Sequence, residues 1–193
     1  MGKDKKVLCK FAAIMLLSML LFTTTACSAP DNQRTREIAE PLIEESLKLD
    51  KILYGEGLST TEEGRDGKYV KVTDERFKTV EDIRVACGKI YTTGLCQVVE
   101  NSVLTGKGTE HGNIYARYID RKGELYMYEG YEANTALADR YDYSSINTKD
   151  ATDRRIIFTI DRYTKDSDTP MQIEITLLWS ASGQCWQLDS PTY

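Results

Sequence analysis

Residues 171–179 form the cleanest alternation in the chain. Met171, Ile173, Ile175, Leu177 and Trp179 stand on one side, and Gln172, Glu174 and Thr176 on the other. A period of two with one apolar and one polar side defines a half-buried strand. Such a strand needs antiparallel neighbours and a second layer over its apolar face. The neighbours are legible nearby. Residues 155–163 alternate, with Ile156, Phe158 and Ile160 on one side. Ser182-Gly183 turns the chain into 184–188, where Trp186 and Leu188 share a face. Residues 114–119 and 124–129 flank Asp120-Arg121-Lys122-Gly123, which reads as a hairpin turn, and 140–147 reads as a further strand.

The covering layer must come from the first half, where the period is helical. Residues 36–54 place Ile38, Leu42, Leu49 and Ile52 or Leu53 near helical spacing. Pro41 suits a first turn better than an interior, so the regular helix is expected to begin near Glu40. Residues 55–67 are polar and hold four glycines, and read as a loop. Residues 69–72 read as a short edge strand. Thr79 and Asp82 form a capping-box pattern for a helix over 80–91, broken by Gly94 and followed by a second piece carrying Leu95, Val98 and Val99.

Helices first and antiparallel strands after give an α+β class, with the helices packed on a sheet of about four to six strands. This order, with terminal strands 154–163, 170–180 and 184–189, resembles the cystatin-like or nuclear-transport-factor-2-like (NTF2-like) fold, which implies a curved antiparallel sheet wrapped around the helices. The segment from Tyr69 through Phe77, Thr79 and Asp82, followed by Ile90-Tyr91-Thr92-Thr93, is similar to secreted DL-endopeptidase inhibitors of Gram-positive bacteria.

The N-terminus carries a separate message. Lys3, Lys5, Lys6 and Lys10 precede an apolar run over 11–22, and small residues follow. These are the three parts of a secretory signal. Twelve residues span about 18 Å as a helix, against the roughly 30 Å of a bilayer core. Thr24-Thr25-Ala26-Cys27 resembles the lipobox of bacterial lipoproteins, although Thr24 stands where that family usually has Leu. The resemblance implies a signal peptide over 1–26, lipidation at Cys27, and attachment to the bacterial cell membrane on its extracytoplasmic side. A polar tether over 27–35 and one α+β domain over 36–193 would then follow. The alternative is an ordinary signal peptide that leaves Cys27 as a free thiol.

Cleavage before Cys27 leaves 21 basic and 29 acidic side chains, a net charge of −8. A chain so acidic is a poor match for nucleic acid, whose phosphates require Lys and Arg. Cys87 lies on the apolar stripe of the 80–91 helix with Ile83 and Ile90, and reads as a small buried hydrophobe. That leaves Cys96 and Cys185 as the first disulfide pair to test, although spacing alone does not choose among the three pairings.

Chemical motifs are scarce. His111 is the one histidine, so a zinc site with two histidines cannot form within one chain. It sits in a glycine-flanked polar loop over 106–112 and reads as a solvated loop residue or a general base over a cavity. No Gly-x-Ser-x-Gly or phosphate loop occurs, and neither 150–153 nor 166–168 completes a calcium hand. No cofactor and no metal site is expected. Asp139, Asp142 and Asp161 would do acid–base work only if burial raised one of them. Tyrosines crowd the start of the strand region. Tyr115, Tyr118, Tyr126 and Tyr128 are the candidate ligand-binding residues, because tyrosine offers area plus a hydroxyl. The competing explanation is that tyrosine simply forms strands well.

Three functions fit. The first is a non-catalytic, membrane-anchored domain that binds a protein, peptide, glycan or other cell-wall ligand. In its narrow form it inhibits a peptidoglycan endopeptidase, with the acidic segment 56–66 entering that hydrolase's groove. The second is a small-molecule enzyme whose NTF2-like cavity uses His111 or a buried Asp as base. The third is an assembly subunit that pairs sheet to sheet. The oligomeric state is left open.

Overall fold

A computed structural model describes residues 31–109, 112–134, 136–165 and 167–192. Among the described residues, three α-helices precede or interrupt ten strands. Helix α1 is Asn32–Leu53, α2 is Val80–Ile90 and α3 is Thr93–Val99, which runs into a π-helical turn at Glu100–Leu104. Strands β1 (Thr60–Asp66), β2 (Tyr69–Val72), β5 (Tyr118–Arg121) and β6 (Glu124–Tyr128) form an antiparallel sheet in the order β1-β2-β6-β5. Strands β7 (Ala138–Ala151), β8 (Arg155–Thr164), β9 (Met171–Ser180) and β10 (Cys185–Leu188) form another in the order β10-β9-β8-β7. A hairpin of β3 (Lys107–Thr109) and β4 (Gly112–Ile114) stands apart. The class is α+β. The strands divide between two four-stranded sheets, where the periodicity suggested one.

Helix α1 starts earlier than Pro41 suggested. Asp31 caps it, its Oδ1 accepting the Arg34 amide at 2.8 Å. Thr35, assigned to the tether, is already buried, and its hydroxyl meets that of Thr148 on β7 at 2.8 Å. Pro41 therefore sits inside the helix, on an exposed position. It removes one backbone hydrogen bond, and the anchored first turns outweigh that loss. Helix α2 begins on the expected capping box, with the Thr79 hydroxyl accepting the Asp82 amide and the Asp82 carboxylate accepting the Thr79 amide. Its break comes before Gly94, which lies within α3. Tyr91 turns extended and bridges Leu188, and the Thr92 amide donates to the Leu188 carbonyl at 2.9 Å. The break thus ties the helices to the edge of the second sheet.

The 55–67 region is the other departure. Most of it is β1, an exposed strand with no apolar face, held by backbone pairing to β2 across an irregular register. Periodicity cannot detect a strand that buries nothing. The β5–β6 hairpin turns at Lys122 and Gly123, both at positive φ (53° and 81°), as a two-residue primed turn requires.

The core lies where α1 and α2 meet the second sheet. Ile156, Phe158, Ile160, Ile175, Leu177 and Leu188 are fully buried from the sheet side, and Ala39, Ile43, Leu53 and Ile83 from the helices. Each buried aliphatic or Phe side chain contributes about 1.5–3 kcal/mol, so this face provides most of what holds the layers together.

Candidate functional site

Alternation in β2 and β6 divides the first sheet into two faces. Val70, Val72, Leu125 and Met127 point one way, and Tyr69, Lys71, Tyr126 and Tyr128 the other. Tyr115, from the strand-free stretch before β5, folds onto the second face. Its ring stacks on Tyr128 with centroids 4.8 Å apart and 29° between planes. Tyr69 supports both rings, at 6.4 Å from Tyr115 and 5.6 Å from Tyr128. Tyr69 is itself buried and donates its hydroxyl to the Ala116 carbonyl at 3.0 Å. Tyr115 and Tyr128 are half-buried, so their rings are presented to solvent from a fixed base.

Charges frame this aromatic face. Lys68 Nζ lies 4.5 Å from the Tyr115 ring centroid and donates to its hydroxyl at 3.2 Å. Lys71 pairs with Glu124 and Arg65 with Glu129, both at 2.5 Å, and Arg121 pairs with Asp66. Exposed pairs of this kind add about 0–1 kcal/mol each, so they shape the rim more than they stabilise it.

The four candidate tyrosines therefore separate. Tyr115 and Tyr128 come together at the surface. Tyr126 shares their face but is buried beside β1, where a Cβ on Gly64 would stand 3.9 Å from its hydroxyl. Tyr118 points inward, is fully buried, and donates to the Ile52 carbonyl at 2.8 Å. It is a core residue, because β5 alternation places it opposite Met127 on the inner face.

Sequence reasoning missed Arg117, which is 2% exposed. Its guanidinium donates to the Leu53 carbonyl (3.2 Å) and the Gly55 carbonyl (2.6 Å), and lies 4.1 Å from the Tyr131 ring centroid. A cation there meets the negative end of the α1 dipole and satisfies carbonyls that the helix leaves open. The signal was faint: one arginine among tyrosines.

Asp50 was also missed. It is 3% exposed near the end of α1. Its Oδ1 accepts the Tyr91 hydroxyl at 2.7 Å and its Oδ2 the Thr192 hydroxyl at 2.8 Å. Thr192 also meets the Ser46 hydroxyl at 3.0 Å, and its carbonyl accepts Tyr141. Burial pushes the carboxyl up to about 6 against the pull of its two hydroxyl donors. The adjoining cavity, walled by Tyr54, Leu95, Val98 and Pro191, measures ≈ 20 Å³, room for about one water.

The other candidates fall apart in space or lie elsewhere. The Cys96–Cys185 bridge is not formed. Both thiols are free, as is that of Cys87. Cys96 Sγ is directed at the Tyr91 carbonyl, 3.6 Å away, whereas Cys185 opens β10 beside Gly183. Burial pushes the Cys87 thiol up to about 12, in keeping with its reading as a core hydrophobe. Asp142 and Asp161 face each other across β7 and β8. The Asp142 carboxyl is held below the usual range by the Ser144 hydroxyl and amide, opposite to what a general acid needs. Asp139 lines a separate cleft. Cys27 and His111 lie outside the described residues. Among the described residues there is no acidic, Cys or His cluster able to hold a metal ion, and no helix is long and apolar enough to cross a membrane.

Compared with known proteins, the chain matches no family model, and no curated protein matches its sequence.

Proposed function

We propose that this chain is an extracytoplasmic lipoprotein, anchored through Cys27, whose domain binds a protein, peptide or cell-wall ligand without catalysing its conversion. The Tyr115–Tyr128 stack carries the reading. Two half-buried tyrosines, seated on a buried third and ringed by charge, present a rigid amphipathic area. Such residues lose little freedom on binding and offer both ring and hydroxyl. Beside them, β1 is the outer strand of its sheet, and a ligand strand can pair with its free backbone edge. Its exposed Glu62 and Glu63 make the 56–66 segment the part of the domain that would enter a hydrolase groove. The test is sedimentation with purified peptidoglycan and titration against a purified peptidoglycan endopeptidase. Binding or inhibition that is lost in Tyr115→Ala/Tyr128→Ala supports the reading. Unchanged turnover at excess domain removes the inhibitor form.

Asp50 is the observation that favours an enzyme instead, since a carboxyl near 6 suits a general base at neutral pH. Against it, both carboxylate oxygens are already engaged by structural hydroxyls, and the neighbouring cavity admits no substrate. The binding reading is therefore preferred.

A further inference from the structure

A further cleft lies away from the aromatic face. It has a volume of about 470 Å³, in the range of small-ligand sites. It opens between the end of α1, the loop before β7 and the end of β8. Its apolar lining is Ala133, Leu137 and Ala138, and the chain is tightly packed at Gly55. A Cβ on Gly55 would meet the Lys51 carbonyl oxygen at 2.9 Å and Leu137 Cδ1 at 3.1 Å. The loop is fixed to the helix end by the Asn134 amide, which donates to the Tyr54 carbonyl at 2.7 Å.

The rim is ionic and of both signs: Lys51 and Lys165 against Glu56 and Asp139. All four are exposed. Elsewhere some bases and carboxylates pair with one another, as in Arg65–Glu129 and Arg84–Glu100, while others such as Lys68 and Lys89 join no ion pair among the described residues. Among the described residues, none of these four joins an ion pair. Among the described residues the cleft thus offers two cations and two carboxylates around Ala133, Leu137 and Ala138. A polyanion would meet the carboxylates, and a polycation the lysines. A ligand carrying one charge of each sign at its ends satisfies both.

We propose that this cleft binds a short peptide with a free ammonium and a free carboxylate. The carboxylate would lie toward Lys51 and Lys165, the ammonium toward Glu56 and Asp139, and small side chains would cover Leu137 and Ala138. This site is independent of the tyrosine face.

The test is isothermal titration of the full chain in mild detergent with Ala-Ala-Ala, its N-acetyl form and its C-terminal amide. A ligand of this size is expected to bind with a dissociation constant on the order of 0.1–1 mM. Blocking either end should weaken binding about fivefold or more, since one charged contact is lost. Lys51→Met/Lys165→Met should no longer distinguish acid from amide. Glu56→Gln/Asp139→Asn should no longer distinguish ammonium from acetyl. These positions are exposed, and circular dichroism of each variant checks that it folds. Equal binding of free and blocked peptides overturns the proposal, as does no binding up to about 10 mM. Loss of tripeptide binding in Tyr115→Ala/Tyr128→Ala overturns it as well, because that places the ligand on the other face. Binding retained in that variant leaves the tyrosine-face reading to its own test.

Discussion

Tyr91 donates its hydroxyl to Asp50 Oδ1 at 2.7 Å, and that contact joins the broken end of α2 to the last turn of α1. Thr192 closes the same carboxylate from the C-terminal side. One buried acid thus gathers two helices and the chain's end. Its position makes the fold sensitive to pH.

Asp50 titrates near 6 in the folded protein, against 3.8 for the ordinary group. A folded-state value above the unfolded one means that the native state binds the proton more tightly. Stability from this group is greatest below about 4 and is lost as pH rises through about 6, with roughly 3 kcal/mol at stake. Asp50→Asn keeps an acceptor and removes the charge. The gain in Tm of Asp50→Asn over the natural chain should therefore be larger at pH 8 than at pH 4.5. A difference that does not change with pH contradicts the assignment.

Arg117 is held by two carbonyls at the end of α1 and by Tyr131. Arg117→Ala opens those carbonyls inside the protein and leaves a cavity. Denaturant unfolding should show a loss of about 2–4 kcal/mol. Arg117→Lys should recover only part of it, because an ammonium lacks the fork that reaches both oxygens.

These two residues mark the limit of what the sequence carries. The half-buried strands from 155 to 188 were legible because their middles have one wet face; alternation survives in the middle of β8 and β9, whereas Met171 and Trp179 at the ends of β9 are exposed and β10 buries only Leu188. Helix α2 was legible from its capping box. Strand β1 was not, since its side chains are almost all exposed and only backbone pairing defines it. Asp50 and Arg117 were invisible for the opposite reason: a charged residue in a polar chain reads as surface until its tertiary partners are known. Among the tyrosines, composition marked only a crowded region, and the register separated surface Tyr115 and Tyr128 from core Tyr118.

The free thiols predict a simple mass result. Alkylation of the unfolded, unreduced chain should modify Cys87, Cys96 and Cys185 together. In the native state, Cys87 should react slowest, because burial keeps its thiol protonated at neutral pH. A native species two mass units lighter, with Cys96 and Cys185 both protected after unfolding, contradicts the unbridged arrangement.

Tyr115 and Tyr128 should be expendable for folding. Replacing both with Ala removes the three ring contacts among Tyr69, Tyr115 and Tyr128 and should cost about 2–4 kcal/mol. A much larger loss in chemical unfolding would assign the stack to the core rather than to a ligand.

The most direct measurement places a photo-crosslinking amino acid at Tyr128 in growing cells, with Gln172 on the exposed face of the second sheet as control. The binding account predicts a discrete crosslinked product from position 128, with none from 172. It also predicts that the 128 product disappears when Tyr115 is replaced by Ala. Equal labelling from both positions, or no product from 128 in intact envelopes, contradicts it.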